Sequence, residues 1–169
     1  MSGVVEGLAQ LLVPAHVLVL AALGLLLGQH ETRTPRACLV TFALGFAAGA
    51  GGIALAVREM PSAIALLVLA ACAGLLVAIS WRLPMILKHA LGFATGAALA
   101  LDSPPHAVSV RLAIVAQIVT GLAAFVALLL VMGGATRAVP AMVRIGLRIA
   151  GSWIAATAIL VVALRLARG

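Results

Sequence analysis

The chain has 169 residues, of which 65% are hydrophobic and only 9% are charged, and its mean hydropathy is +1.30. This composition argues against a soluble globular domain and is typical of a polytopic membrane protein. The net charge of +7 comes from basic residues in the short connections and at segment ends. That distribution favours contact with solvent or lipid headgroups and argues against nucleic-acid binding.

The first apolar segment covers residues 4–28 and contains Pro14 and His16 near its middle. At about 1.5 Å per residue, a helix of this length crosses a hydrocarbon layer of about 30 Å, which places His16 near the midplane. Pro14 has no N–H group, so a helix through it leaves the carbonyl oxygen of Gln10 without its usual donor. A kink or a polar neighbour is therefore expected there. Glu6, in a stretch with no Lys or Arg, predicts a retained helix rather than a cleaved signal peptide.

His16 has two interpretations. A buried ionisable group in a bent membrane helix indicates a functional site, either in a transport path or as a metal ligand. A neutral imidazole can also donate one N–H to a carbonyl group of a neighbouring helix and serve only to hold two helices together.

The second and third apolar segments cover residues 37–57 and 62–80. The centre of the second segment carries Gly45 and Gly49 among alanines. This spacing places small residues on one helix face, where another helix can approach closely.

The fourth segment, residues 85–101, carries Gly92 and Gly96 in the sequence G-F-A-T-G-A, which echoes the G-F-A-A-G-A that begins at Gly45. The echo indicates either one packing solution used twice, which we favour, or a worn internal repeat. Residues 102–106 read D-S-P-P-H, which cannot continue a helix and predicts a loop.

The fifth segment, residues 108–132, contains Gln117, and the sixth, residues 145–164, contains Gly151 as a further packing position. The connection between them, residues 133–144, is predicted to be the longest of the chain. We therefore predict an all-α membrane protein, a bundle of six transmembrane helices that forms a single domain over the whole chain.

The sequence contains no nucleotide-binding loop, dinucleotide fingerprint, zinc-protease motif or pair of intramembrane carboxylates. It therefore predicts neither an enzyme nor a bound cofactor. Scattered polar side chains are the candidates for a transport path or binding site: His16, His89, Thr95 and Gln117. Of these, we predict His16 alone as a metal ligand.

The other polar candidates also have structural interpretations. His89 follows Lys88 at the start of the fourth segment and suits an interfacial anchor. Thr95 can bond back to its own helix, and Gln117 can bond to a neighbouring helix. The two cysteines lie in separate segments without C-x-x-C spacing, which predicts small buried hydrophobic residues at Cys38 and Cys72.

Three stretches within residues 7–166 carry a resemblance to a known family. The apolar run from His16 to Gly24 looks like the family's first helix. The sequence from Gly92 is similar to its H-G-Y-A-H-G-A segment, and residues 148–155 look like its last helix. On these stretches the chain resembles the HupE/UreJ family, small membrane proteins regarded as nickel or cobalt permeases that are associated with hydrogenase and urease genes.

The resemblance implies a permease with a metal site, but this sequence departs from the family at the ligand positions. The family's H-P-x-x-G-x-D-H motif keeps only its final histidine, as His16. The family's other donor positions hold apolar residues or threonine: Ala9, Ala15, Leu91, Thr95 and Ala98. Because a nickel or cobalt site needs several imidazole, carboxylate or thiolate donors, we expect no strong binding of either ion.

Two functions follow as hypotheses. The first is permease-like transport of a small solute or metal ion, and the alternative is a non-catalytic accessory membrane subunit that has lost the metal site. The lipid bilayer is the expected partner, with other membrane subunits or self-association as further possibilities. Seven of the eleven basic residues flank the first, third and fifth connections. The positive-inside rule then places both termini outside the cytoplasm, in a bacterial inner membrane.

Overall fold

The computed structural model of the chain describes residues 3–29, 35–54, 62–80, 83–103, 110–137 and 141–168. Within these ranges the chain forms seven α-helices and no strand, which confirms the predicted all-α class. In chain order the helices are α1 (Gly3–Leu11), α2 (Pro14–Gln29), α3 (Pro35–Ala54), α4 (Ser62–Ile79), α5 (Met85–Leu101), α6 (Val110–Thr136) and α7 (Ala141–Arg168).

The first apolar segment forms two helices instead of the single helix predicted over residues 4–28. Helix α1 ends at Leu11 and α2 begins at Pro14. The N–H of Val13 donates to the carbonyl oxygen of Gln10 at 3.2 Å, which is the tight bonding of a 3₁₀ turn. Proline suits the start of α2 because an N–H at this position has no intrahelical partner. The interruption expected at Pro14 is therefore a complete break.

The third and fourth segments form helices with bounds within one residue of those predicted, as α4 and α5. Helix α3 begins at Pro35, two residues earlier than predicted, and residues 55–57 of the predicted second segment lie outside the described residues.

The predicted long connection over residues 133–144 is wrong, because α6 continues to Thr136 and α7 already begins at Ala141. The two glycines at the start of this stretch remain helical. A Cβ atom at Gly28 would lie against the Cβ of Ala135, so α2 packs closely on this last turn of α6. The packing offsets the low helix propensity of glycine.

Helices α3 and α5 pack through their repeated glycine motifs, which contain Gly45, Gly49, Gly92 and Gly96. Gly45 lies against the backbone of Phe93, and Gly96 lies against the backbone of Phe42. These approaches need glycine, because the neighbouring atoms are backbone and cannot move aside as a side chain can. The two similar motifs therefore form the two sides of one helix pair.

A second close helix pair, α4 and α7, meets at Gly74 and Gly151. A Cβ at Gly151 would lie 2.5 Å from Cγ1 of Val77, and one at Gly74 would lie 2.7 Å from the carbonyl oxygen of Gly151. Later positions on α4 thus meet earlier positions on α7, and the two helices run in opposite directions.

Helix α2 lies at the centre of the bundle and packs against α4, α6 and α7. Its inward side chains Val19, Leu23 and Leu26 are fully buried. They form the core together with Leu66 of α4 and Leu128 of α6, which are also fully buried. Apolar contacts of this kind fill the bundle interior.

The outer faces of the helices are also apolar. Large hydrophobic side chains such as Ile86 (82% exposed) and Trp153 (73% exposed) point away from the bundle. Two helices, over Arg111–Thr136 and Met142–Ala167, are long and apolar enough to cross a membrane, and four further apolar helices are shorter. Extended apolar surface of this kind is unusual for a soluble monomer and fits a membrane association.

Candidate functional site at the first helix break

The imidazole of His16 is fully buried and contacts polar groups through both ring nitrogens. Its Nδ1 lies 2.6 Å from the carbonyl oxygen of Gln10, at the end of α1. Its Nε2 lies 3.0 Å from Oδ2 of Asp102, a residue 86 positions further along the chain. One ring therefore connects α1, α2 and the end of α5.

The local sequence explains why the ring lies there. Pro14 cannot donate to the carbonyl oxygen of Gln10, which instead accepts from the N–H of Val13 and from the ring of His16. The sequence predicted a kink or a polar neighbour at this carbonyl, and the structure contains both a helix break and a polar ring.

Asp102 is the C-terminal cap of α5 and places its carboxylate beside His16. Its backbone has φ −82° and ψ −4°. Its N–H donates to the carbonyl oxygen of Ala98 at 3.0 Å, and the N–H of Ser103 donates to that of Ala100 at 3.2 Å. The carboxylate side chain is 14% exposed, so one edge of the ion pair faces outward. Sequence analysis assigned Asp102 only to a loop and missed this contact.

Two polar side chains of α6 show where the ends of α1 and α5 lie along that helix. Nε2 of Gln117 donates to the carbonyl oxygen of Ala100 in the last turn of α5, at 3.3 Å. Oγ1 of Thr120 donates to the carbonyl oxygens of Gly7 in α1 and Ala116 in its own helix. Gln117 is seven residues into α6, or about 10 Å along its axis. The ends of α1 and α5 therefore meet α6 below its tip.

Helix ends of both signs meet at the site. The C-terminal ends of α1 and α5 carry partial negative charge from their last carbonyl groups, and the N-terminus of α2 carries partial positive charge. Asp102 adds a carboxylate at the same place. Two further buried oxygens nearby, Oγ of Ser103 (2% exposed) and Oε1 of Gln117, have no hydrogen-bond partner among the described residues.

None of the other predicted site residues makes a polar contact with His16 among the described residues. His89 lies in the first turns of α5, about 20 Å along the helix from Asp102. Its Nδ1 is 3.5 Å from Oγ1 of Thr41, and the neighbouring Lys88 is buried. Thr95 is buried within α5, between these two ends. Gln117 is therefore the one of these candidates that contacts the last turn of α5, next to Asp102.

The donor set does not match the metal site that the resemblance implies. Within the described ranges, no group of three His, Cys, Asp or Glu side chains is close enough to hold one metal ion. His16 and Asp102 provide two donors, and a nickel or cobalt site needs more.

The length of α5 is the sequence signal that could have identified Asp102. This helix has 17 residues, or about 25 Å, less than the hydrocarbon thickness of about 30 Å. In the six-span bundle that the sequence predicts, a carboxylate directly after so short an apolar helix would lie close to the hydrocarbon region. The fold and site thus define a class, an all-α apolar bundle in which a buried histidine pairs with a partly exposed aspartate at a helix break.

Comparison of the chain with protein-family models, curated proteins and solved structures gives no match. The HupE/UreJ resemblance therefore stays a prediction from the sequence, and the geometry of the site carries the functional argument.

Proposed function

We propose that the chain is an integral membrane protein whose six apolar segments each cross the bilayer, the first by α1 and α2 together. Helices α3, α4 and α5 have 20, 18 and 17 residues. At 1.5 Å per residue these are about 25–30 Å long, close to the hydrocarbon thickness. The apolar outer faces of α6 and α7 support the same arrangement. The asymmetry of the basic residues favours termini outside the cytoplasm of a bacterial inner membrane.

Within this bundle we propose a permease-like function, the movement of a small solute past the His16–Asp102 pair. The observation that carries the proposal is a buried His16 paired with the partly exposed Asp102 at a break in a helix. Non-helical backbone at membrane depth is tolerated where it is buried in protein or lines a cavity. Broken helices and buried ionisable side chains together mark substrate and ion sites in transporters.

The donor set favours a small solute over nickel or cobalt as the cargo. Both ring nitrogens of His16 already have partners, Gln10 and Asp102. The two unpartnered oxygens, on Ser103 and Gln117, offer hydrogen-bond acceptance. Such a site suits a small molecule with N–H or O–H donors.

A second candidate is the accessory membrane subunit, and one feature favours it. A groove of about 480 Å³ runs between α3 and α6 on the outside of the bundle. Its walls are almost entirely apolar and include Phe42, Phe46 and Phe125. An apolar groove between helices can accept a helix of another membrane protein.

An osmotic swelling assay separates the two functions. Purified protein in lipid vesicles is exposed to inward gradients of urea, glycerol and ammonium acetate, and to Ni²⁺ and Co²⁺ with an entrapped metal-sensitive dye. A permease increases the entry of at least one probe over protein-free vesicles, and His16→Ala removes the increase. Ser152→Ala is the matched control, because Ser152 is exposed and bonds only within its own helix, to Ile149.

The accessory function predicts a different outcome. No probe then enters faster than in protein-free vesicles, and the protein purifies from its native membrane in a stoichiometric complex. His16→Ala would then change the yield of that complex without changing permeability.

A further inference from the structure

The contacts of His16 determine how many protons the site holds. Nδ1 faces the carbonyl oxygen of Gln10 at 2.6 Å, and a carbonyl oxygen can only accept a hydrogen bond. Nδ1 must therefore carry a hydrogen. Rotating the ring by half a turn would put a C–H group in place of Nδ1, 2.6 Å from the carbonyl oxygen of Gln10. That is too close, because C–H···O contacts have C···O distances of about 3.3–3.6 Å.

The second nitrogen then needs a proton as well. A neutral imidazole with its hydrogen on Nδ1 has only a lone pair on Nε2, and an ionised carboxylate can only accept. At 3.0 Å, Nε2 of His16 and Oδ2 of Asp102 would be two acceptors facing each other. In the other neutral tautomer the hydrogen is on Nε2, and the two acceptors that face each other are then Nδ1 and the carbonyl oxygen of Gln10.

We propose that His16 and Asp102 together form a proton-binding site, in which one exchangeable proton is shared between Nε2 and Oδ2. The occupied pair is either imidazolium with carboxylate or imidazole with carboxylic acid. Both forms have zero net charge, which is the form least penalised by burial.

Release of this proton changes the contacts that hold the helix break. The proton leaves Nε2 or Oδ2 for water at the exposed edge of Asp102, and the pair is left with one negative charge and two opposed acceptors. The tie between the start of α2 and the end of α5 is then lost. Binding and release of a proton thereby bias the arrangement of α1, α2 and α5.

Among the described residues, no other charged side chain on the elements that surround α2 forms a hydrogen bond or ion pair with His16. On α5, Lys88 and His89 lie at the opposite end. The arginines on α6 and α7 whose side chains are described, and Arg137 directly after α6, are all exposed: Arg111, Arg137, Arg144, Arg148 and Arg165. The described part of α4 has no charged side chain. The side chain of Glu6 in α1 lies outside the described residues. Within the described part of the chain, Asp102 is therefore the titratable group that shares a proton with His16.

In a permease, a proton bound at this site would couple solute transport to a proton gradient. This role as a coupling ion rests on the proposed permease function. The proton site itself follows from the geometry alone. Its test therefore uses protein in detergent, where no transport takes place.

The test is nuclear magnetic resonance of a variant in which His16 is the sole histidine, with glutamine at positions 30, 89 and 106. Ring nitrogens are labelled with ¹⁵N and the aspartate carboxyl with ¹³C, and spectra are recorded across a pH series. In the folded protein we expect either a protonated Nε2 or a protonated Asp102 over the lower part of the series. On raising the pH, the nitrogen and carboxyl signals should change together, as one shared event.

Asp102→Asn provides the matched variant, because asparagine has the same shape and its amide N–H can donate to a neutral Nε2. We expect this change to abolish the shared titration and to give a neutral ring with its hydrogen on Nδ1. A second variant that keeps only His89 should show no response to Asp102→Asn. A neutral His16 ring beside an ionised Asp102 throughout the pH series of the folded protein would overturn the proposal.

The outcomes for the two proposals are separable. A shared titration in detergent without solute entry into vesicles would refute the permease function and leave the proposed proton site standing. Solute entry that needs His16, with no shared titration, would refute the proposed proton site and leave the permease function standing.

Discussion

Glycine packing in the α3–α5 pair gives a prediction whose size follows from the structure. At Gly96, an added Cβ would overlap the carbonyl oxygen of Phe42 and lie 2.8 Å from the backbone nitrogen of Phe46. At Gly51, on the same helix pair, a Cβ would meet nothing within 4 Å. Replacing glycine by alanine in a helix gains up to about 1 kcal/mol in propensity. Overpacking against rigid neighbours costs about 1–3 kcal/mol.

The two effects should give opposite signs at the two positions. Gly51→Ala should stabilise the bundle by up to about 1 kcal/mol, whereas Gly96→Ala should be neutral or destabilising by up to about 2 kcal/mol. For a chain of this length, 1 kcal/mol changes the melting temperature by about 2–4 °C. The two variants should therefore differ by several degrees in thermal unfolding in detergent, followed by loss of helical circular dichroism.

A larger side chain provides a second comparison. Gly49→Leu should destabilise the bundle strongly, because a Cβ at Gly49 would already lie 2.5 Å from the carbonyl oxygen of Ala97. Ala65→Leu should have little effect, because Ala65 is exposed. If Gly96→Ala melts at or above Gly51→Ala, and Gly49→Leu melts with Ala65→Leu, the argument from close backbone approach is refuted.

Three further predictions concern topology, metal binding and the buried pair. In a cysteine-free background of intact cells, an impermeant thiol reagent should label Ser2→Cys and not Thr136→Cys; the reverse pattern would contradict the predicted orientation. Calorimetric titration of the purified protein with Ni²⁺ and Co²⁺ should give no stoichiometric micromolar site, and a site lost in His16→Ala would show that other donors complete it. A double-mutant cycle of His16→Ala and Asp102→Ala should give a coupling free energy of about 0.5–3 kcal/mol in thermal unfolding, and additive effects would mean that the contact contributes nothing.

Several features of the fold follow from local sequence. Apolar segments bounded by Pro61, Pro84 and the run D-S-P-P-H from Asp102 predicted α4 and α5 within one residue of their bounds. Proline, glycine and polar clusters act on the backbone locally, so a sequence pattern is enough to locate such helix ends. The same logic predicted a disturbance at Pro14 but not that α1 and α2 would be separate helices.

Long-range features were harder to derive. The sequence showed that the motifs at Gly45 and Gly92 were similar, but not that they pack against each other. At Ala135 a long-range contact made a local prediction wrong. Its contact with Gly28 keeps a glycine-containing turn helical where a connection was predicted. Local helix propensity does not determine which helix surfaces meet, because that depends on the packing of the whole bundle.

The site shows the same division between local and long-range information. Pro14 and His16 are neighbours in the sequence, so a polar group near the carbonyl of Gln10, to which Pro14 cannot donate, was predictable. Asp102 is 86 positions from His16 and was missed, because its contact depends on where α5 ends relative to the helix break. His89 and Thr95 were selected by residue type alone, and the fold keeps them apart from the break.

Proton movement across vesicle membranes tests the central claim most directly, namely that the His16–Asp102 pair is the working site of a membrane protein. Vesicles that contain the purified protein and an entrapped pH-sensitive dye are given an outward potassium gradient with valinomycin, in the presence of any solute that enters in the swelling assay. The account predicts luminal acidification by the unaltered protein and by His89→Gln, and its loss to the level of empty vesicles in Asp102→Asn. Equal acidification in Asp102→Asn and the unaltered protein, with equal amounts of folded protein in the membrane, would contradict it.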